Sequence, residues 1–162
     1  MTGIFESHAH YEDEAFDEDR DVLLKSLPEN GIKYVVDVGS SIDTCHKIIE
    51  LIPKWDYMYG ALGIHPEEIR TVTDEDMEWL RKEAAANGKI VAIGEIGLDY
   101  YWDKDNKAQQ KEFFERQLVL AKELKKPVIV HSREAALDTY EVIKASADRD
   151  NSGVIHCFSY SK

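Results

Sequence analysis

Residues 90–95 read IVAIGE, a short run of apolar and mostly β-branched side chains that ends on a carboxylate. Three other apolar stretches end in the same way on a histidine, at His10, His131 and His156. Runs of this kind are typical of strands that are buried on both faces of a parallel sheet. Because α/β proteins build their sites at the carboxyl ends of such strands, these stretches predict a metal site assembled from several strands.

The apolar runs alternate with helical patterns along the whole chain. Strands are predicted at residues 4–7, 33–38, 57–62, 90–94, 128–130 and 154–157. Apolar residues recur at helical spacing over residues 42–52 and stop at Pro53. Thr73 and Asp76 have the spacing of a capping box. The helix after the fifth strand is expected to face the sheet with Leu137, Tyr140, Ile143 or nearby residues.

This order of elements fits either an open doubly wound sheet or most of a closed (β/α) barrel. In the open sheet, strands one and six would lie roughly 14 Å apart, because neighbouring strands are about 4.8 Å apart. A barrel turns all of its strand ends toward one axis, so that His8, Glu95 and His156 can converge. No GxGxxG fingerprint follows the first strand. The predicted fold class is therefore α/β, a (β/α) TIM-type barrel.

The chain carries a formal net charge of −12, whereas proteins that hold nucleic acid by electrostatics are normally basic. No basic patch for tight DNA binding is expected, and a phosphate-bearing substrate would need bound divalent cations to supply local positive charge. Much of the acidity lies in residues 12–21. We interpret this segment as a solvated loop that leads into a helix.

Neither a signal peptide nor a membrane-spanning segment is recognisable in the sequence, which predicts a cytoplasmic protein without a membrane partner. Cys45 and Cys157 agree with a reducing compartment, because they are far apart and form no CxxC pair. We interpret both cysteines as small apolar fillers of the core.

Five motifs at the ends of predicted strands resemble, in sequence and in order, those of the TatD-like metal-dependent hydrolases. These proteins are amidohydrolase-type barrels, and the resemblance covers the whole chain. The motifs are SHAH at residues 7–10, GIHP at 63–66, GEIGLDY at 94–100, VHSR at 130–133 and IHCFS at 155–159. The resemblance implies a phosphoesterase or deoxyribonuclease that uses a metal-activated water molecule, although the same chemistry also acts on amides and esters.

The resemblance implies two divalent cations, of zinc, manganese or magnesium. His8 and His10 are two residues apart at a strand end and so point to the same side, toward one cation. Glu95 would bridge the two cations with its two oxygens, while His131 and His156 would complete the second. Four histidines favour zinc or a transition metal over magnesium alone.

Further roles follow from the same resemblance. Glu95 and His131 are expected to be catalytic. His65 would face the substrate phosphate or cap its own loop, and Arg133 would contact a phosphate or pair with an acidic neighbour. Asp99 would orient a metal ligand or stabilise a turn.

Three aromatic residues, 100–102, follow Asp99 and would either stack on bases or pack locally. Two positions depart from the family pattern. Glu6 stands where an aspartate is usual before the histidine pair, and Tyr160 stands where a glycine is usual. A bulky ring is therefore expected at a point where the backbone is normally free to turn.

The predicted single domain covers residues 1–162 and contains about six of the eight strands of a TIM-type barrel. The family's last two strands, with an aspartate that ligates metal, have no counterpart in this sequence, so impaired activity is expected. A rival hypothesis is a non-catalytic barrel remnant that serves only in metal binding or assembly. The open edges of the first and sixth strands are expected to favour self-association.

Overall fold

Six parallel strands form one sheet in which each strand pairs with the next along the chain. The computed structural model describes residues 3–146 and 152–161. The strands are β1 (Ile4–Ala9), β2 (Ile32–Val38), β3 (Met58–Leu62), β4 (Ile90–Asp99), β5 (Val128–Arg133) and β6 (Gly153–Ile155). Five helices connect them: α1 (Arg20–Ser26), α2 (Ile42–Leu51), α3 (Asp74–Ala86), α4 (Lys107–Leu124) and α5 (Ala136–Ser146).

Two apolar clusters lie on the two faces of this sheet. The larger joins the helices to the sheet and includes Ile48, Leu80 and Phe114. The smaller lies on the opposite face and is formed by strand residues alone, among them Val36 and Ala61. Because successive side chains of a strand point to opposite faces, the near-continuous apolar runs of the sequence supply both clusters.

The sheet is strongly curled. In a flat sheet of this strand order, the first and sixth strands would lie about 24 Å apart. Instead the rings of His8, on β1, and His156, just after β6, stack with their centroids 3.7 Å apart. The prediction of a barrel over an open sheet is confirmed. Within the part of the chain that the structure describes, β1 and β6 each pair with one strand only.

The strands differ from the predicted ones mainly at their carboxyl ends. β1, β4 and β5 run on far enough to include His8, Glu95 and His131, and β4 extends as far as Asp99. β6 is shorter than predicted and ends just before His156. The candidate ligands of the longer strands are therefore held by the sheet itself rather than by the loops that follow.

The predicted orientation of α5 is wrong for two of its three named residues. Leu137 and Tyr140 are 69% and 60% exposed, although Ile143 does pack against the core. Thr139 and Val142 are buried instead. A polar side chain can occupy this face because the Thr139 hydroxyl is hydrogen-bonded to that of Ser132, at 2.8 Å, a partner that an apolar pattern does not reveal.

The two cysteines differ. Cys45 is buried, as predicted, and its thiol faces the Gly63 carbonyl oxygen. Cys157 is exposed, so its interpretation as a core filler is wrong. Both are free thiols.

Across residues 3–146 and 152–161, no helix has both the length and the apolar character that a membrane crossing requires.

Candidate metal centre

The histidine pair at the end of β1 meets the carboxylate of Glu95, on β4, at the carboxyl end of the sheet. The Nε2 atoms of His8 and His10 lie 3.0 Å apart, and His8 Nε2 lies 3.4 Å from Glu95 Oε2. One donor atom from each of these three residues falls within 4.8 Å of the other two. The period-two spacing of the histidines thus brings both rings to one point, with Glu95 opposite them.

The other oxygen of Glu95 faces a second group. Oε1 lies 3.1 Å from Nδ1 of His131, and the ring centroids of His131 and His65 lie 4.3 Å apart. His65, Glu95 and His131 therefore form a second set with one donor atom each within 4.8 Å. Glu95 is shared by the two sets, one oxygen to each side.

Two glycines of β4 allow this close approach. Gly94 lies against the backbone of Ile129, and a side chain there would collide with it. Gly97 pairs with His131 across the sheet and has a φ of +145°. An added Cβ at Gly97 would collide with the His131 carbonyl group. The glycines of the GEIG segment thus let the backbones that carry Glu95 and His131 come together.

Asp99 makes both of the contacts that its motif suggested. Its Oδ1 accepts hydrogen bonds from the backbone N–H groups of Tyr101 and Trp102, at 2.8 and 2.9 Å. Its Oδ2 lies 2.9 Å from Nε2 of His131. The carboxylate therefore stabilises the turn after β4 and also fixes the His131 ring, leaving Nδ1 of that ring directed at Glu95.

His10 has a carboxylate behind it in the same way. Glu12 is 4% exposed, and its Oε1 lies 3.6 Å from Nδ1 of His10 while Nε2 of that ring faces His8. The Glu12 carboxylate raises the pKa of His10. Glu12 was assigned to a solvated loop, which is wrong for this residue. The missed signal is that Glu12 continues the period-two spacing of His8 and His10.

A second buried carboxylate, Asp37 at the end of β2, also escaped the sequence analysis. Its Oδ1 accepts a hydrogen bond from the Tyr11 N–H at 2.7 Å. Burial, and secondarily the charge of Glu12, raise the pKa of Asp37 to about 7. Asp37 thus holds the segment between His10 and Glu12. An aspartate within an apolar strand run is the signal that could have indicated it.

The Glu95 carboxylate is surrounded by imidazole rings that favour its charged form. Burial alone would raise its pKa, but hydrogen bonds to His131 and His8 outweigh burial and hold the pKa well below its usual range. Burial likewise disfavours the charged form of His131, but the Glu95 and Asp99 carboxylates outweigh it and raise the pKa of that ring. Burial lowers the pKa of His65 to about 4, so this ring is neutral at pH 7.

His65 caps its own loop. Its Nδ1 accepts a hydrogen bond from the Glu67 N–H at 3.3 Å, and its backbone N–H donates to the Ser40 carbonyl oxygen. The loop itself is held by a buried glutamine, because Gln117 on α4 pairs with both the N–H and the C=O of Ile64. In the neutral ring, this arrangement leaves the proton on Nε2.

His156 reaches the centre through its ring contact with His8, and burial lowers the pKa of His156. It is not in either of the compact donor groups found among the described residues.

Arg133 is exposed at the end of β5, with its guanidinium carbon 4.2 Å from the Tyr101 ring centroid and 5.6 Å from that of Trp102. No ion pair of Arg133 with an acidic neighbour is found within the described ranges.

Both departures from the family pattern are accommodated locally. Glu6 folds back so that its Oε1 accepts the His8 N–H at 3.1 Å. Tyr160 adopts no left-handed backbone conformation; among nearby described residues Cys157 does, with a φ of 43°. The Tyr160 hydroxyl instead lies 3.1 Å from Ser132 Oγ and accepts the Ala135 N–H. The ring thereby ties the loop after β6 to the end of β5.

The donor set fits divalent cations. Imidazoles with one shared carboxylate are ligands typical of zinc and of neighbouring transition metals. Each of His10 and His131 has one ring nitrogen directed into the centre and a carboxylate at the other, which is the arrangement that orients metal-binding histidines in proteins.

Comparison with known proteins agrees with this geometry. Residues 5–162 match the family described as TatD related DNase. The chain is 39% identical over 158 residues to the metal-dependent hydrolase YabD of Bacillus subtilis, covering 98% of this chain and 62% of YabD. It is 31% identical over 144 residues to the 3'-5' ssDNA/RNA exonuclease TatD of Cronobacter sakazakii, covering 89% of this chain and 54% of the exonuclease.

Solved structures of TatD relatives have the same fold as this chain. The crystal structure of YjjV, a TatD homologue from Escherichia coli K12, superposes with a TM-score of 0.90 at 29% identity, covering 98% of this chain and 61% of YjjV. The TatD family hydrolase of Entamoeba histolytica gives a TM-score of 0.89 at 25% identity, covering 99% and 60%. The chain thus spans about three fifths of the length of these relatives. It belongs to the TatD related DNase family.

Proposed function

We propose that this chain supplies the metal centre of a hydrolase that cleaves phosphodiester bonds, with DNA as the favoured substrate class. The observation that carries the proposal is the position of Glu95, whose Oε2 faces His8 and whose Oε1 faces His131. A carboxylate between two imidazole groups is suited to bridging two cations. The 3'-5' ssDNA/RNA exonuclease of C. sakazakii supports the choice of substrate.

His8, His10 and Glu95 would hold one divalent cation, and Glu95, His131 and His156 the other. Two such cations would supply Lewis-acid activation of water and of a phosphodiester oxygen. Zinc and manganese suit the imidazole-rich donor set better than magnesium. Glu12 and Asp99 would keep His10 and His131 in the tautomer and orientation that ligation requires.

His65 is better suited to substrate than to metal. A metal ligand must offer a lone pair, but the Nδ1 lone pair of His65 already accepts the Glu67 N–H. Nε2 of the neutral ring then carries a proton and would donate it in a hydrogen bond to a phosphate oxygen. Arg133, at the outer end of β5, would contact a neighbouring phosphate. Both side chains would orient the substrate at the shared carboxylate.

The acidic charge of the chain limits the mode of binding. With a net charge of −12, the chain would repel a long polyanion, so cations at the centre would be required for a phosphodiester to bind. We therefore propose short or single-stranded substrates rather than tight duplex binding. A reducing, cytosolic location suits the two free cysteines.

Metal analysis combined with hydrolysis of bis(4-nitrophenyl) phosphate tests the proposal. The purified protein should contain stoichiometric metal and hydrolyse the diester, and His131→Ala should lower turnover at least about 100-fold. His46→Ala is the control, because His46 packs on Trp79 outside the centre, with ring centroids 3.9 Å apart. Metal without turnover in the wild-type protein would support the non-catalytic remnant instead.

A further inference from the structure

The turn after β4 presents two aromatic rings to solvent beside the metal centre. Tyr101 is 43% exposed and Trp102 is 65% exposed, and their rings meet edge to face at 4.7 Å. Their backbone N–H groups are both bound by Asp99, whose other oxygen contacts His131. The two rings are thus anchored, through one carboxylate, to a residue of the centre.

Arg133 completes this surface from the neighbouring strand. Asp99 and Arg133 are paired across β4 and β5, and the Tyr100 N–H donates to the Arg133 carbonyl oxygen. The guanidinium lies over the Tyr101 ring and near that of Trp102. The sheet and the Tyr101 ring therefore hold the Arg133 guanidinium in place, and no ion pair of this guanidinium occurs within the described part of the chain.

The preceding aromatic residue has a different role. Tyr100 is 6% exposed, its hydroxyl donates to Asp138 at 2.6 Å, and the Lys107 ammonium lies over its ring. Packing therefore accounts for Tyr100. Tyr101 and Trp102 pack on each other and on Arg133, yet they remain 43% and 65% exposed.

We propose that Tyr101, Trp102 and Arg133 form a stacking platform for an unpaired nucleobase of a single-stranded nucleic acid whose scissile phosphodiester lies at the metal centre. This inference rests on the proposed function. Aromatic rings and guanidinium planes stack on any base, and a neighbouring arginine attracts the backbone phosphate. In a duplex the base faces are already covered by their neighbours, so the platform selects single strands.

Binding of a hydrolysis-resistant, phosphorothioate-linked decathymidylate tests the platform. Its affinity for the metal-loaded protein is compared with that of an abasic oligonucleotide of the same length and charge, using the anisotropy of a terminal fluorophore. The wild-type protein should bind the base-bearing strand roughly tenfold more tightly, the size expected for a stacked base. Tryptophan fluorescence should be quenched by the base-bearing strand only, because Trp102 is more exposed than the partly buried Trp55 and Trp79.

Three variants separate stacking from other effects. Trp102→Ala should remove most of the preference for bases, whereas Trp102→Phe should retain much of it. Tyr140→Ala should leave it unchanged, since Tyr140 is an exposed tyrosine on α5 that also carries a lysine over its ring. Thermal unfolding of each variant verifies that the fold persists.

Equal affinity of the wild-type protein for the two oligonucleotides, including failure to bind either, would overturn the platform. So would a preference that survives Trp102→Ala. Hydrolysis of bis(4-nitrophenyl) phosphate is measured on the same preparations. Hydrolysis without base preference would reject the platform and leave the proposed function standing, whereas base preference without hydrolysis would reject the function and leave these residues as a base-binding surface only.

Discussion

At the scale of single residues, the centre is built from two matched pairs of histidine and carboxylate. Glu12 lies behind His10, and Asp99 lies behind His131. In each pair one ring nitrogen faces the carboxylate and the other faces the centre. Carboxylates in this position raise the basicity of the histidine and hold its orientation. The pairing explains why Glu12, a glutamate in the most acidic stretch of the chain, is buried.

Glu12→Gln should weaken metal binding about 10- to 100-fold, the usual effect of changing a group that orients a metal-binding histidine. The amide can still contact Nδ1 of His10, but it lacks the charge that favours the ligating form. Titration calorimetry with zinc measures the affinity. Glu14→Gln is the control, because Glu14 is exposed and two residues away. Equal zinc affinity in the Glu12 variant and the wild-type protein would show that Glu12 does not support His10.

At the scale of elements, α4 fixes two loops of the centre with one face. Gln110 and Gln117 are seven residues apart, close to two helical turns, so they share a side of the helix. Gln110 bonds the backbone of Asp99, and Gln117 bonds that of Ile64, next to His65. Both glutamines are buried between apolar neighbours. The helix thus sets the position of two segments of the centre through hydrogen bonds from two buried amides.

Gln117→Ala should destabilise the protein by about 2–4 kcal/mol, because the buried N–H and C=O of Ile64 would both lose their partner. Chemical denaturation measures the free energy of unfolding. Gln109→Ala provides the comparison, since Gln109 is on the same helix but only partly buried, and it should change stability by less than about 0.5 kcal/mol. A loss of the same size in both variants would argue against the loop clamp.

At the scale of the whole molecule, the curl of the sheet brings together side chains from both ends of the chain. His8 and His156 meet although β1 and β6 are the first and last strands in the sheet order. Imidazoles and carboxylates from β1, β4 and β5 and from just beyond β6 then share one small volume. A cation bound there would connect strands that do not pair with each other.

Removal of metal should therefore lower the stability of the whole domain. A cation present at 100 times its dissociation constant would add about 2.7 kcal/mol to the free energy of unfolding. Thermal unfolding with zinc and with EDTA measures the difference. The shift in Tm should shrink in His131→Ala, which keeps His8, His10 and Glu95 for one cation, and persist in full in His46→Ala. A wild-type Tm that does not respond to zinc would contradict a cation at this centre.

Among the described residues, β1 and β6 each have one side without a strand partner, and the self-association expected from the sequence stays a prediction. Ile4 and Phe5 on β1, with Val154 and Ile155 on β6, are between 40% and 59% exposed. Exposed apolar strands with unpaired backbone groups are templates for edge pairing. Light scattering after gel filtration should show a dimer or larger species at high concentration, and Val154→Lys should shift it toward monomer. A monomer at every concentration would contradict self-association.

The sequence by itself was sufficient to predict the order of strands and helices and the barrel class, and to name candidate ligands. Period-two spacing and apolar runs are local properties, and they are sufficient to place His8, His10, Glu95 and His131 on or directly after predicted strands. The capping box of Thr73 and Asp76 was confirmed for the same reason, because its partners lie within one turn.

Only the tertiary structure decided which residues support the ligands. Asp37 and the glutamines of α4 are polar, and their hydrogen-bond partners lie on other strands or loops. On α5, Thr139 rather than Leu137 is buried, because the hydroxyl of Thr139 is hydrogen-bonded to that of Ser132 on β5. Burial of a polar group costs free energy unless a partner is in reach, and the curl of the sheet determines which partners are in reach.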